Sequence, residues 1–237
     1  GNLKRVTLEL GGKSPVIVFP DADMKTAIEG ASRNIFYNSG QICAAGSRLF
    51  AHQKVFDQLV DGIMANARKI KVGPGLEAET EMGPLISQEQ LERVISYISA
   101  GQTAGATVKV GGGRIGEAGY FVQPTVLTNT TADMSVRREE IFGPVLCAMS
   151  FADEDLDRIA AEANDTSYGL AAVIFTRDIS TAHKMARRIK AGSIRINGSG
   201  LDTNVPFGGY KQSGWGRENG REGIEIFTEI KSVTITL

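Results

Sequence analysis

A chain of 237 residues, 42% hydrophobic, can form one large domain, or one domain with a small appendage, and bury its core without disulfides or a structural metal. The formal net charge of -1 leaves no basic field to attract nucleic acid or anionic lipid. With only two cysteines and two histidines, none in ligand spacing, a disulfide framework is excluded and a zinc site is disfavoured. The longest apolar run, residues 168–175, is far too short to span a bilayer. The opening Gly1-Asn2-Leu3-Lys4-Arg5 has neither an initiator Met nor the apolar stretch of a secretory leader. The expectation is a cytoplasmic, reducing location, and a start that is either processed or cut from a longer chain.

In chain order, residues 6–10 and 16–19 read as strands with Gly11-Gly12 between them. Residues 21–38 read as a helix, because Met24, Ala27, Ile28, Ala31 and Ile35 recur at helical spacing before Gly40. Residues 49–51 form a short strand, and residues 55–70 an amphipathic helix. A loop over 72–85 carries Gly73-Pro74-Gly75 and Gly83-Pro84. Ser87 opens a helix that runs to about Ala104, with Gln90 completing a capping box. Residues 108–110, 122–127 and 145–151 read as strands. Residues 156–164 and 181–191 read as helices, the second closed by Gly192 at C′. Strands are expected again at 172–175 and 193–197. This alternation predicts an α/β fold, a mostly parallel sheet covered by helices, with its site beyond the strand C-terminal ends. The tail 231–237 alternates Val233, Ile235 and Leu237 with Ser232, Thr234 and Thr236. It reads as a strand without a local partner, suited to pairing with another subunit or domain.

Cys43 lies in Gly40-Gln41-Ile42-Cys43-Ala44-Ala45-Gly46, among small residues that leave room for a substrate and for backbone N–H groups to approach an oxyanion. A buried structural cysteine stays open as the other reading. Cys147, in the apolar strand 145–151, reads as structural. Glu9 sits at a strand end beside a glycine pair, either as a proton acceptor for water or as a solvent-facing acid. Glu140 and Phe142, in Glu139-Glu140-Ile141-Phe142-Gly143-Pro144, are either a charged turn or a carboxylate for ribose hydroxyls beside an aromatic ring. Residues 206–218 form a tight glycine-rich loop without phosphate-loop spacing.

Taken together and in this order, these segments resemble the aldehyde dehydrogenase family. Five co-linear motifs carry the resemblance: Leu8-Glu9-Leu10-Gly11-Gly12-Lys13-Ser14-Pro15; Gly40-Gln41-Ile42-Cys43 with Gly46-Ser47-Arg48; Glu140-Ile141-Phe142-Gly143-Pro144; Asn164-Asp165-Thr166-Ser167-Tyr168-Gly169-Leu170-Ala171-Ala172; and Pro206-Phe207-Gly208-Gly209-Tyr210-Lys211. The resemblance implies an NAD or NADP cofactor and an aldehyde substrate. It implies Cys43 as the nucleophile that forms a thiohemiacetal and then a thioester, and Glu9 as the base for hydrolysis. A base at this position favours hydrolysis over acyl transfer to coenzyme A. It implies Glu140 on the nicotinamide ribose and Phe142 against the cofactor. Ile42, Ala44, Leu201 and Phe207 would line the substrate pocket, whose small loop residues 198–204 leave room for a bulky or aromatic aldehyde. Glu218 reads as an acid on the proton path or as half of a salt bridge.

By the same resemblance, residues 1–9 end a cofactor-binding domain, 10–213 form the catalytic domain, 214–226 return toward the cofactor domain, and 227–237 are an oligomerisation strand of a homodimer or homotetramer. The N-terminal cofactor-binding half would precede Gly1, so this stretch alone is expected to turn over negligibly and to self-associate. The competing reading is a non-catalytic oligomerisation or binding module. A weaker one is a thioester hydrolase using the same cysteine.

Overall fold

The computed structural model describes residues 2–153, 155–200 and 202–237. β1 (Leu8–Glu9) leads through the glycine pair into β2 (Pro15–Val18), α1 (Met24–Phe36), a 3-10 turn (Tyr37–Gly40) and β3 (Arg48–His52). Next come α2 (Gln53–Lys69), α3 (Gln88–Thr103), β4 (Thr107–Val110), β5 (Thr125–Thr128), α4 (Ser135–Arg138), β6 (Val145–Phe151) and α5 (Leu156–Asn164). The chain then forms β7 (Tyr168–Gly169), β8 (Ala171–Phe175), α6 (Ile179–Arg188), β9 (Ser193–Ile196), β10 (Tyr210–Lys211), β11 (Gly214–Trp215) and α7 (Gly220–Glu225).

One seven-stranded sheet runs β4-β5-β6-β3-β2-β8-β9, parallel throughout except for β4 against β5. β2 and β3 are buried at every position, as strands covered on both faces must be. Successive residues therefore serve two cores. Ile17 and Phe50 join Leu91, Val94, Ile98, Ile159 and Met185 from α3, α5 and α6. Val16, Val18, Leu49 and Ala51 join Ala27, Ala31, Ile35, Leu59 and Ile63 from α1 and α2 on the other face. Asp23, Ser87, Asp155 and Asp178 each cap a helix through side-chain acceptance of backbone N–H groups, and so fix where the crossovers begin.

Several boundaries differ from expectation for local reasons. The first helix starts at Met24 because Asp23 accepts the Thr26 N–H at 2.9 Å, and it stops before Asn38 and Ser39, whose φ values are 52° and 56°. The strand expected over 122–127 begins at Thr125: Pro124 has no N–H to give a ladder, and Val122 makes only an isolated bridge to Arg114. Gly192 is not a helix C′ residue, since α6 ends at Arg188 with Ile189 as its cap. A Cβ there would instead strike the Gly208 carbonyl, so close backbone approach is what requires glycine. The tail 231–237 forms no ladder hydrogen bonds among the described residues; its alternating side chains lie exposed, and a strand exists only with a partner edge. β1 pairs antiparallel with β11, and Trp215 Nε1 donates to the Val6 carbonyl at 2.8 Å, so residues 6–9 and 214–215 lie together.

Arg48 ties these layers at the start of β3. It is 1% exposed and donates to the carbonyls of Lys13 at 2.9 Å, Ala163 at 2.7 Å and, more weakly, Glu162 at 3.5 Å. Arg48→Met leaves the Lys13 and Ala163 carbonyls without this donor, while Glu162 O keeps the Asp165 N–H. The expected loss is roughly 2–5 kcal/mol of unfolding free energy, read as a lower urea midpoint. An unchanged midpoint would show that water takes over the Lys13 and Ala163 carbonyls.

Candidate active site

The candidate residues gather at the N-terminal ends of the parallel strands, opposite to the expectation of a site beyond the C-terminal ends. Gly11 and Gly12 precede β2, Cys43 precedes β3, and Glu140 and Phe142 precede β6. The expected rule describes helix N-termini facing a ligand across a sheet crevice. Here the loops are those that return from helices to strands, so Cys43 comes after α1 instead of opening a helix. It therefore lacks the helix N-terminus that depresses a thiol pKa elsewhere.

The turn that presents Cys43 is conformationally costly. Asn38, Ser39 and Gly40 are consecutive left-handed residues, and only the last is a glycine. Side chains hold it. Ser39 Oγ donates to Gly83 O at 2.8 Å, Asn38 Nδ2 donates to Gln41 O at 3.1 Å, and Gln41 Oε1 accepts the Ile86 N–H at 2.9 Å. Beyond it, Ala45 N–H bonds to Ile42 O and Gly46 N–H to Asn34 O, while the Cys43 N–H has no backbone acceptor among the described residues. A half-buried thiol thus sits beside an uncommitted N–H.

The Cys43 thiol faces the Glu9 carboxylate. Burial pushes the thiol up to about 12, and Glu9 adds to the rise through its charge and its hydrogen bond; the Ala44 N–H opposes it. The carboxyl is in turn held above its ordinary range by burial and by the nearby charge of Glu218, with the hydrogen bond from Cys43 pulling the other way. At neutral pH the sulfur is protonated and a base stands against it. Glu218 lies exposed, its backbone bridged to Phe207, and among the described residues it makes no ion pair. Cys147 is fully buried in β6, and its thiol donates to Val136 O at 3.2 Å.

Glycine lets the second motif approach. Gly12 N–H donates to Glu140 Oε1 at 3.0 Å. A Cβ at Gly12 would strike the Cys43 carbonyl, and one at Gly11 would strike Glu140 Oε2. Glu140 is half-buried and held above the usual carboxylate range by burial, against the Gly12 N–H and the Lys13 charge. Phe142 is half-buried at φ 57°, a left-handed backbone that an aromatic residue rarely adopts. Gln90 maintains it. Its amide donates to Ile141 O at 2.9 Å and Phe142 O at 2.8 Å, so the expected capping box is only half made: Ser87 Oγ accepts the Gln90 N–H, but nothing returns. Gln90→Ala is expected to cost about 1–2 kcal/mol of stability, read as a lower urea midpoint, since a loop carbonyl pair loses its clamp. An unchanged midpoint would show that Phe142 holds its conformation unaided. Neither Gln90 nor the fully buried Ser213, whose Oγ donates to Gly11 O at 2.7 Å and accepts the Gly169 N–H, was apparent from the motifs. A glutamine on the first turn of a helix carries no signal of a partner 51 residues away.

Ile42, Ala44 and Phe207 line one cavity of about 310 Å³, together with Ser199 and Gly200 from the loop after β9. Leu201 lies outside the described residues. Arg33 and Arg195 complete the polar part of the wall.

A model of the aldehyde dehydrogenase family matches residues 1–233. The chain is 47% identical over 241 residues to betaine aldehyde dehydrogenase of Brucella anthropi, covering 100% of this chain and 49% of that protein. It is 48% identical over 237 residues to a putative aldehyde dehydrogenase, DhaS, of Bacillus subtilis, covering 100% and 48%. Among solved structures, the NAD+ complex of a Bacillus cereus aldehyde dehydrogenase superposes with TM-score 0.94 at 51% identity, over 98% of this chain and 47% of that one. The NAD-dependent aldehyde dehydrogenase of Sinorhizobium meliloti gives 0.95 at 44%, over 99% and 46%. The chain spans about half the length of the curated relatives it matches. The family model covers nearly every residue, and the chain belongs to the aldehyde dehydrogenase family.

Proposed function

We propose that the protein carrying this chain oxidises an aldehyde to a carboxylic acid with NAD or NADP. The observation that carries the reading is the Cys43 thiol set against the Glu9 carboxylate, beside an N–H with no backbone acceptor. Glu9 takes the thiol proton as the sulfur attacks the carbonyl carbon, forming a thiohemiacetal. The Cys43 N–H is free to donate to the oxygen that gains charge. The residues present fit the ribose end of a nicotinamide dinucleotide. Glu140 spends Oε1 on Gly12, keeps Oε2 without a donor among the described residues, and has space for its carboxylate because position 11 has no Cβ. Phe142 offers a ring beside it. When bound, the dinucleotide supplies the two-electron acceptor. In the second half, once Glu9 has passed the thiol proton to solvent, it withdraws a proton from a water whose oxygen attacks the thioester carbon; the C–S bond breaks, the sulfur leaves as thiolate and takes a proton back, and the acid is released.

The relatives support the same chemistry: one is named for betaine aldehyde, and the Bacillus cereus enzyme has been seen with NAD+. Residues 1–9 then end the cofactor-binding domain, 214–226 return toward it, a course the pairing of Leu8–Glu9 with Gly214–Trp215 supports, and 10–213 form the catalytic domain. Residues 227–237 form an oligomerisation strand, whose exposed Phe227, Ile230, Val233 and Ile235 suit the edge of another subunit of a dimer or tetramer. No described helix is long and apolar enough to cross a membrane. The test is NAD(P)H formation by the full-length protein with an aldehyde panel, wild type against Cys43→Ala. Silence with every aldehyde and both cofactors would leave a non-catalytic oligomerisation or binding module.

A further inference from the structure

We propose that the cavity beside Cys43 selects aldehydes bearing a second, anionic group, and that Arg33 and Arg195 bind that group. The inference rests on the aldehyde-oxidising reading and names its substrate class. The two neighbours of the nucleophile, Ile42 and Ala44, line this cavity together with Arg33 and Arg195, and no Asp or Glu is among the lining residues. Arg33 stands on α1 one turn before Tyr37, with its guanidinium carbon 5.3 Å from the centre of that ring. Arg195 is the middle of β9. Ile194 and Ile196 share one face of that strand, which leaves Arg195 on the other, opposite Val173 of β8, a second cavity residue.

Neither arginine makes an ion pair among the described residues. Glu29 precedes Arg33 by four residues on α1, close enough in spacing to pair, yet the two make no contact of that kind. A half-buried arginine in a strand, such as Arg195, gives up solvation and is stabilised by an anion that returns it. The fork of a guanidinium matches a carboxylate in shape and charge. Asn34, Ser193 and Ser199 add uncharged polar groups to the lining, while Ala44, Ala45, Ala171, Ala172 and Phe207 keep much of it apolar. Such a wall accommodates a hydrocarbon or aromatic spacer between a carboxylate at the arginines and an aldehyde carbon at the sulfur. Two cations repel an aldehyde with a quaternary ammonium group.

The test compares 4-formylbenzoate, its neutral methyl ester and betaine aldehyde as substrates of the full-length protein. The expected order of kcat/KM is anion, ester, cation, with the anion about tenfold or more above the ester. Arg33→Gln and Arg195→Gln are each expected to lower kcat/KM for the anion roughly 10- to 100-fold, mostly through KM, and to leave the ester within about twofold. Added salt should raise KM for the anion alone. Equal use of anion and ester, or variants that lower both alike, overturns the proposal. If no aldehyde is oxidised, the oxidoreductase reading fails, and selectivity is read without turnover. Benzene-1,4-dicarboxylate should then slow alkylation of Cys43 by iodoacetamide more than its dimethyl ester does, and equal protection overturns the anion site.

Discussion

Cys43→Ala is expected to lower aldehyde-dependent cofactor reduction by roughly 10⁴- to 10⁶-fold, the scale on which removal of a covalent nucleophile acts in other enzymes. The change should be confined to chemistry. The side chain is half-buried between Ile42 and Ala44, the turn around it is held by Ser39, Asn38 and Gln41, and none of those bonds uses the sulfur. Truncation therefore removes one atom and should leave the urea midpoint within about 1 kcal/mol of wild type. Cys147→Ala is the informative contrast. That sulfur is fully buried in the core and donates to Val136 O, so its loss should cost about 1–2 kcal/mol of stability yet leave kcat unchanged. Turnover that survives Cys43→Ala, or disappears with Cys147→Ala, would remove Cys43 from the reaction.

The parts of this molecule that could be read without coordinates are those governed by short-range pattern. β6 and α5 occupy the residues that their apolar run and helical spacing indicate, because Val145–Phe151 has nowhere to go but a covered sheet and Asp155 caps the helix after it. The Cys43, Glu9 and Glu140 motifs were legible as motifs. The contacts that join them were not. The pairing of Leu8–Glu9 with Gly214–Trp215 spans the whole chain, and no local periodicity encodes it. Asn38 and Ser39 adopt left-handed backbone that their residue types permit but do not announce. Gly11 and Gly12 looked like punctuation between strands, whereas their missing Cβ atoms let Glu140 and the Cys43 carbonyl approach. The end of the sheet at which the site forms depends on whether its loops enter or leave strands, which becomes readable only once the strands are ordered. Arg33 and Arg195 lie on different elements, 162 positions apart in the sequence, and only the fold brings them to one cavity.

Glu9→Gln is expected to separate the two roles of the carboxylate, because they predict opposite changes in two measurements. Turnover should fall by roughly 10²- to 10⁴-fold, the usual contribution of a general base, and acyl-enzyme should accumulate as a burst of reduced cofactor if hydrolysis is the step most affected. Alkylation of Cys43 in the absence of cofactor should accelerate. Burial raises the thiol pKa first, but the negative charge of Glu9 and the hydrogen bond it accepts add to the rise; a neutral amide removes the charge and weakens the bond. A thiol pushed up to about 12 has little thiolate at pH 7, so the wild-type alkylation rate should climb close to tenfold per pH unit through pH 8–10 without levelling off. In the variant the thiol pKa falls, the thiolate fraction at any given pH below it grows, and the profile should shift to lower pH. The carboxyl has its own requirement. Its pKa is raised by burial and Glu218, and it acts as a base only when ionised, so wild-type turnover should decline as pH falls through that raised value. Glu9→Gln should lose this acidic limb. Slower alkylation in Glu9→Gln would mean that Glu9 delivers the thiolate to alkylating agents as well as to aldehydes. An acidic limb that persists would place the titrating group elsewhere.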